Sequence, residues 1–124
     1  MAGTNDVAEN TGPFDPEATK NNLMSMVELA RMHRIRIVLA TIPPAAAFPW
    51  RAVSDAVAKI RALNGWIASY ARLNGFAFAD YTAVLDDGSG SMKPGLALDG
   101  VHPTGAGYLA MEPVAQAAIA QARA

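Results

Sequence analysis

Cysteine is absent from the 124-residue sequence. Its absence excludes disulfides, thiolate nucleophiles and cysteine-ligated zinc or iron–sulfur sites, while leaving the compartment open. Histidine occurs twice, at His33 and His102, too sparsely for a histidine-built metal site. A surplus of one charge is lacking too: ten basic residues face eleven acidic ones, for a formal net charge of -1. No basic stripe is present, so neither nucleic acid nor an anionic membrane surface is an expected partner. The longest uncharged apolar stretch, Ile37 to Trp50, is interrupted by Pro43, Pro44 and Pro49, so no transmembrane segment is expected. Met1-Ala2-Gly3-Thr4 offers neither the basic nor the apolar region of a signal peptide. What is present is an apolar fraction of 52% against 17% charged residues. That composition supports a packed core, and the length suits one domain over residues 1–124.

The opening 14 residues carry Gly3, Asn5, Asp6, Asn10, Gly12 and Pro13, and read as a loop. Asp15-Pro16-Glu17 is a helix start: a cap, a proline suited to the first helical position, and an acid at the positive end of the dipole. Leu23, Met26, Val27 and Ala30 give that helix an apolar face, and it should fade near His33. Ile35 to Thr41 reads as a strand, apolar on both sides as in a parallel sheet. The proline-rich stretch from Ile42 to Trp50 is a loop at that strand's carboxyl end, where open α/β sheets bind ligands. A second helix is expected from about Ala52 to Asn74, stopped by Asn74-Gly75, followed by a short strand from Phe76 to Ala79. Residues 86–98 read as a long surface loop. A last helix begins after Thr104, and Pro113 should kink or restart it. Strands alternating with helices imply a parallel sheet with crossover connections. Only two strands are visible, which leaves open sheet edges.

Two polar segments carry most of the chemical information. In Asp99-Gly100-Val101-His102-Pro103, a turn at Gly100 lets the carboxylate meet the imidazole, and Pro103 biases His102 toward an extended backbone. A carboxylate on one ring nitrogen fixes the tautomer and leaves the other nitrogen as a general base. In Gly3-Thr4-Asn5-Asp6, a tight turn can present a backbone N–H and a side-chain amide to one point, as oxyanion stabilisation requires. Taken separately, an Asp turn beside a surface His and a polar Asx turn are the commoner readings.

Together and in this order, the two segments resemble the SGNH hydrolases, the GDSL family of esterases and lipases. The resemblance rests on Gly3-Thr4-Asn5-Asp6, Asp99-Gly100-Val101-His102, the β-α pattern between them, and the closing Pro103-Thr104-Gly105-Ala106-Gly107-Tyr108. It implies a three-layer α/β/α sandwich on a parallel, flavodoxin-like sheet, here reduced to its carboxyl-terminal strands and helices. It implies hydrolysis of carboxylic esters, with a small-molecule or lipid ester as substrate and no cofactor. By the same resemblance, His102 is the base, Asp99 orients it, and Asn5 with Gly3 belongs to the oxyanion hole. Asp6 has a supporting role. Pro43, Phe48 and Trp50 would line the substrate pocket, although packing under the loop explains the two aromatics about as well.

One departure is large. The Gly-Asp-Ser block that carries the family's nucleophile does not occur in this sequence. Ser25, Ser54 and Ser69 fall in expected helices, and Ser89 and Ser91 sit in a Gly-Ser loop that does not match a nucleophile elbow. The 124 residues by themselves are therefore expected to be inactive. The alternative is a non-catalytic module that pairs through its open sheet edge, with an amino-terminal fragment or with itself. Asp80 and Tyr81, after the second strand, are further pocket candidates. Asp86-Asp87-Gly88 reads as a solvated turn, and His33 as a partner of its helix's carboxyl-terminal dipole.

Overall fold

The computed structural model describes residues 1–124 as an α/β fold. In chain order the elements are α1 (Thr4–Val7), α2 (Pro16–Met32), β1 (Val38–Ala40), α3 (Ala56–Asn74), β2 (Ala77–Ala79), α4 (Thr82–Leu85) and α5 (Gly105–Arg123). The strands pair in parallel, with Val38 opposite Ala77, Leu39 opposite Phe78 and Ala40 opposite Ala79, and α3 makes the crossover.

Alternation along the strands sorts side chains between the two faces. Leu39 and Phe78 join the main core, which also takes Leu23 and Val27 from α2 and Ile60, Leu63 and Ile67 from α3. Ala77 and Ala79 point to the opposite side, and their small side chains let a helix approach closely; α5 packs on β2. A smaller cluster of Leu85, Met92 and Met111 ties α4 and α5 to the intervening loop.

Local chemistry explains most boundaries. Asp15 caps α2, its side chain accepting from the N–H groups of Glu17 and Ala18 at 3.0 Å each. Gly75 ends α3 with φ 69°, and Thr104 caps α5 by accepting from Gly107 N–H at 3.2 Å. Four expectations need correction. The opening loop contains one helical turn, α1, too short for periodicity to reveal. The first strand is shorter than residues 35–41, because Arg34 takes φ 56° and Ile35 N–H closes the end of α2 on Ala30 O. The second long helix starts at Ala56 rather than Ala52, since Asp55 is left-handed at φ 55°, so Ser54 lies outside it. Pro113 neither ends nor restarts the last helix, which runs unbroken to Arg123. Its missing N–H frees the carbonyl of Leu109 on an exposed face, where water can satisfy it.

Candidate active site

One side of the candidate site is a single turn, Asp99 to His102. Gly100 takes φ 82°, which suits glycine. The chain then folds back so that the N–H groups of Val101 and His102 both donate to Asp99 Oδ1, at 2.9 and 2.8 Å. Val101 is buried in the main core and anchors the turn. Leu98 N–H donates to His102 O, and Thr104 N–H to Leu96 O, which fixes the approach to α5. At Gly107 a Cβ would lie 2.3 Å from Leu96 O, so only glycine admits this close packing of helix on loop.

The second carboxylate oxygen, Oδ2, lies 2.7 Å from His102 Nδ1. An ionised carboxylate only accepts, so Nδ1 carries the proton and Nε2 presents its lone pair. The His102 backbone N–H, then its ring, then the Val101 N–H hold the Asp99 carboxyl well below the usual carboxylate range. The His102 side chain is 71% exposed, so its ring is open to a reacting group.

The second side of the site is the turn from Gly3 into α1. Gly3 takes φ 119°, and a Cβ there would lie 2.6 Å from Ile42 Cδ1. Ile42 is itself fully buried just past β1. Asn64 of α3 holds it there, accepting from Ile42 N–H at 2.7 Å and donating to Ile42 O at 2.9 Å. Asp6 accepts from the buried Thr19 hydroxyl at 3.3 Å and so ties α1 to α2. Asn5 Oδ1 accepts from Asn10 Nδ2 at 2.9 Å, and Asn10 Oδ1 accepts from Trp50 Nε1 at 2.9 Å.

These two sides meet. Gly3, Asn5, Asp6, Pro43 and His102 line a single cleft of about 410 Å³. Val101, Pro103 and Tyr108 contribute to the same walls. Trp50 lies beside the cleft, its ring centroid 5.7 Å from that of His102. Phe48 is buried in the main core instead, under Trp50 at 5.6 Å, and does not line the cleft. Asp80 accepts from the Thr82 hydroxyl, and Tyr81 N–H donates to Thr41 Oγ1 at 2.8 Å; both residues serve the end of the sheet.

None of the five serines lines the cleft. The Ser89 hydroxyl donates to Asp87 Oδ1 at 2.7 Å, and this bond leads the interactions that hold the Asp87 carboxyl below its ordinary value. Asp86 accepts from Gly88 N–H and Asp87 from Ser89 N–H, so the loop holds a pair of Asx turns, and Asp86 also accepts from Gly90 N–H. Sequence reasoning missed Asn10, Asn64 and Thr41. Asn64 alone left a signal, as a weak helix former in mid-helix.

A family model described as the GDSL-like Lipase/Acylhydrolase family matches residues 1–110. Among solved structures, the chain is similar to a GDSL-like lipase from Bacteroides thetaiotaomicron, with 44% identity and a TM-score of 0.92 over 98% of this chain and 60% of that one. It is similar to an acylhydrolase candidate from Bacteroides fragilis, with 43% identity and a TM-score of 0.92 over 97% of this chain and 59% of that one. The esterase domain of the zebrafish ZfL2-1 retrotransposon ORF1 protein shares the fold, with a TM-score of 0.71 at 23% identity over 96% of this chain and 65% of that one. No curated protein sequence matches significantly. The chain thus spans about 60% of the length of the two Bacteroides structures.

Proposed function

Starting from the premise that the chain belongs to the GDSL-like lipase/acylhydrolase family, we propose that it supplies the base, the orienting acid and one oxyanion donor of a serine esterase. The observation that carries this reading is the shared cleft, in which His102 and Asn5 face one space while Asp99 backs the imidazole at 2.7 Å.

The chemistry follows from those groups. A serine hydroxyl gives its proton to His102 Nε2 as its oxygen attacks the ester carbonyl. The carbonyl oxygen becomes an anion, and Asn5 Nδ2 donates to it. The imidazolium, stabilised by the ionised Asp99, returns the proton to the departing alcohol as the ester C–O bond breaks. Water then repeats the sequence on the acyl group and frees the acid. One oxyanion donor of this kind is worth about 2.7–4 kcal/mol. The serine must come from outside these 124 positions, because none of the five present lines the cleft.

The test is a comparison of the 124-residue chain with a form extended upstream by a segment carrying Gly-Asp-Ser. A serine-reactive fluorophosphonate should label the extended form and not the shorter chain. The shorter chain should hydrolyse p-nitrophenyl esters no faster than its His102→Ala variant. Turnover by the 124 residues that disappears in His102→Ala would overturn the need for an external serine. An extended form that resists labelling would overturn the esterase reading.

A second reading, association through the sheet edge, is favoured by one observation. Val38 and Leu39 border an apolar trough of about 260 Å³ whose other wall includes Leu23, Met26 and Val27 of α2. A strand added there would bury that trough and pair the open edge.

A further inference from the structure

The cleft has a polarity problem that neither the base nor the acid solves. A primary amide presents an oxygen on one side and an NH2 on the other, and only the NH2 can stabilise an oxyanion. If Asn5 turned over, it would place a carbonyl oxygen against the developing negative charge. Something must choose between the two orientations.

We propose that Trp50 makes this choice, acting through Asn10 as a positioning residue, and that it joins the two sides of the site. The indole Nε1–H is a donor with no acceptor capacity. Its partner at 2.9 Å on Asn10 must therefore be the oxygen, Oδ1. Asn10 then has only its NH2 left on the other side, and this donates to Asn5 at 2.9 Å. The atom of Asn5 receiving it must be Oδ1, so the Asn5 NH2 is the group left facing the cleft. Each link is forced by the one before it, and the whole direction comes from a single indole proton. The same ring lies 5.7 Å from the His102 imidazole, tilted by 39°. Trp50 thus touches the base with its ring and sets the oxyanion donor with its N–H. Asn5 and Asn10 lie five positions apart, and Trp50 reaches Asn10 across 40 positions from the proline-rich loop beyond β1. That loop has a reason to be placed where it is: it brings the donor to the amide pair.

The chemical meaning of the relay rests on the esterase reading, but its geometry is testable without turnover. The measurement is hydrogen exchange of the assigned Asn5 and Asn10 side-chain NH2 groups and of the Trp50 indole N–H, by NMR on the 15N-labelled 124-residue chain. In the parent protein the Asn10 NH2 should exchange roughly 3- to 10-fold more slowly than the Asn5 NH2, as expected for one net hydrogen bond. Trp50→Phe keeps a ring and removes the donor, and should erase that difference. Asn10→Asp is the sharper variant. A carboxylate at position 10 accepts from both neighbours, so Asn5 must turn its NH2 inward, and its exchange should slow by a similar factor. A residue that merely filled space would give no such reversal. The proposal is overturned if the Asn5 NH2 is the slower group in the parent protein, if Trp50→Phe leaves Asn10 unchanged, or if Asn10→Asp leaves Asn5 unchanged. The parent comparison stands alone should either variant fail to fold. In a serine-bearing extended form, Asn10→Asp should lower kcat more than Asn10→Ala does, with KM altered by less than twofold. Failure of that form to react with the fluorophosphonate would refute the esterase reading while leaving the exchange pattern intact.

Discussion

Asp99 is tied to its own turn more tightly than to any distant group. Two backbone N–H groups and one ring nitrogen share its two oxygens, so the acid that orients His102 also makes the loop that presents it. Asp99→Asn separates these duties. The amide oxygen can keep the two backbone bonds, but its NH2 then faces Nδ1 and forces the proton to Nε2, the wrong tautomer for a base. In a serine-bearing form, hydrolysis should fall by about 10²–10⁴-fold. The pH dependence has a definite sign. Bonding holds the folded carboxyl below its unfolded value, ordinarily about 3.9. Its contribution to stability is therefore complete above that value and is lost as the pH falls toward the lower, folded one. Urea titrations should show the gap between the parent and Asp99→Asn shrinking as the pH falls below 4.

Helices and strands place these residues through a few long-range bonds rather than through extensive sheet. β1 ends at Ala40, and the path of Ile42 beyond it is set by Asn64, which bonds both backbone groups of that residue from α3. Ile42 in turn fills the space that Gly3 leaves by having no side chain. Asn64→Leu keeps the volume but strands a buried N–H and C=O, and should cost about 2–4 kcal/mol at two unmade bonds. Gly3→Ala adds a methyl at 2.6 Å from Ile42 in a left-handed backbone, and should cost at least about 1 kcal/mol. Chemical denaturation of both variants, with the cleft followed through the His102 ring resonances, checks the two figures. These dependencies also mark the limit of what the sequence disclosed. The Asp15-Pro16 start, the Thr104 cap, the Asn74-Gly75 stop and the Asp99–His102 turn were legible because each is closed by residues within a few positions. Asn64 with Ile42 spans 22 positions and Trp50 with Asn10 spans 40, and beyond the weak helix propensity of Asn64 itself neither pairing leaves a periodic or local trace. The pairing of Gly3-Thr4-Asn5-Asp6 with His102 was legible only through the family resemblance. Phe48 was left between two readings, wall or packing, because an aromatic in a loop looks the same whether its loop covers a core or borders a cleft.

At the scale of the whole molecule, the decisive feature is a parallel sheet of two three-residue strands with both edges unpaired. Such a sheet buries little, and the trough beside β1 leaves Met26 half exposed. The related Bacteroides structures are longer, and this chain spans about 60% of them. If the additional segment in a longer form lies against β1, Met26 changes from a surface residue into an interior one. Met26→Lys separates the two situations. In the 124-residue chain the lysine reaches water, and the substitution should cost less than about 0.5 kcal/mol. In a form extended upstream it should cost about 2 kcal/mol or more, since a methionine's burial is lost and a charge must leave the interior. The same substitution should reduce any concentration-dependent self-association of the shorter chain, read by sedimentation velocity, because a charge in the trough opposes strand addition. An equal cost in both forms would mean that the trough faces water in the extended form, and that a serine carried by the extension would reach the cleft by a path that does not cross the edge of β1.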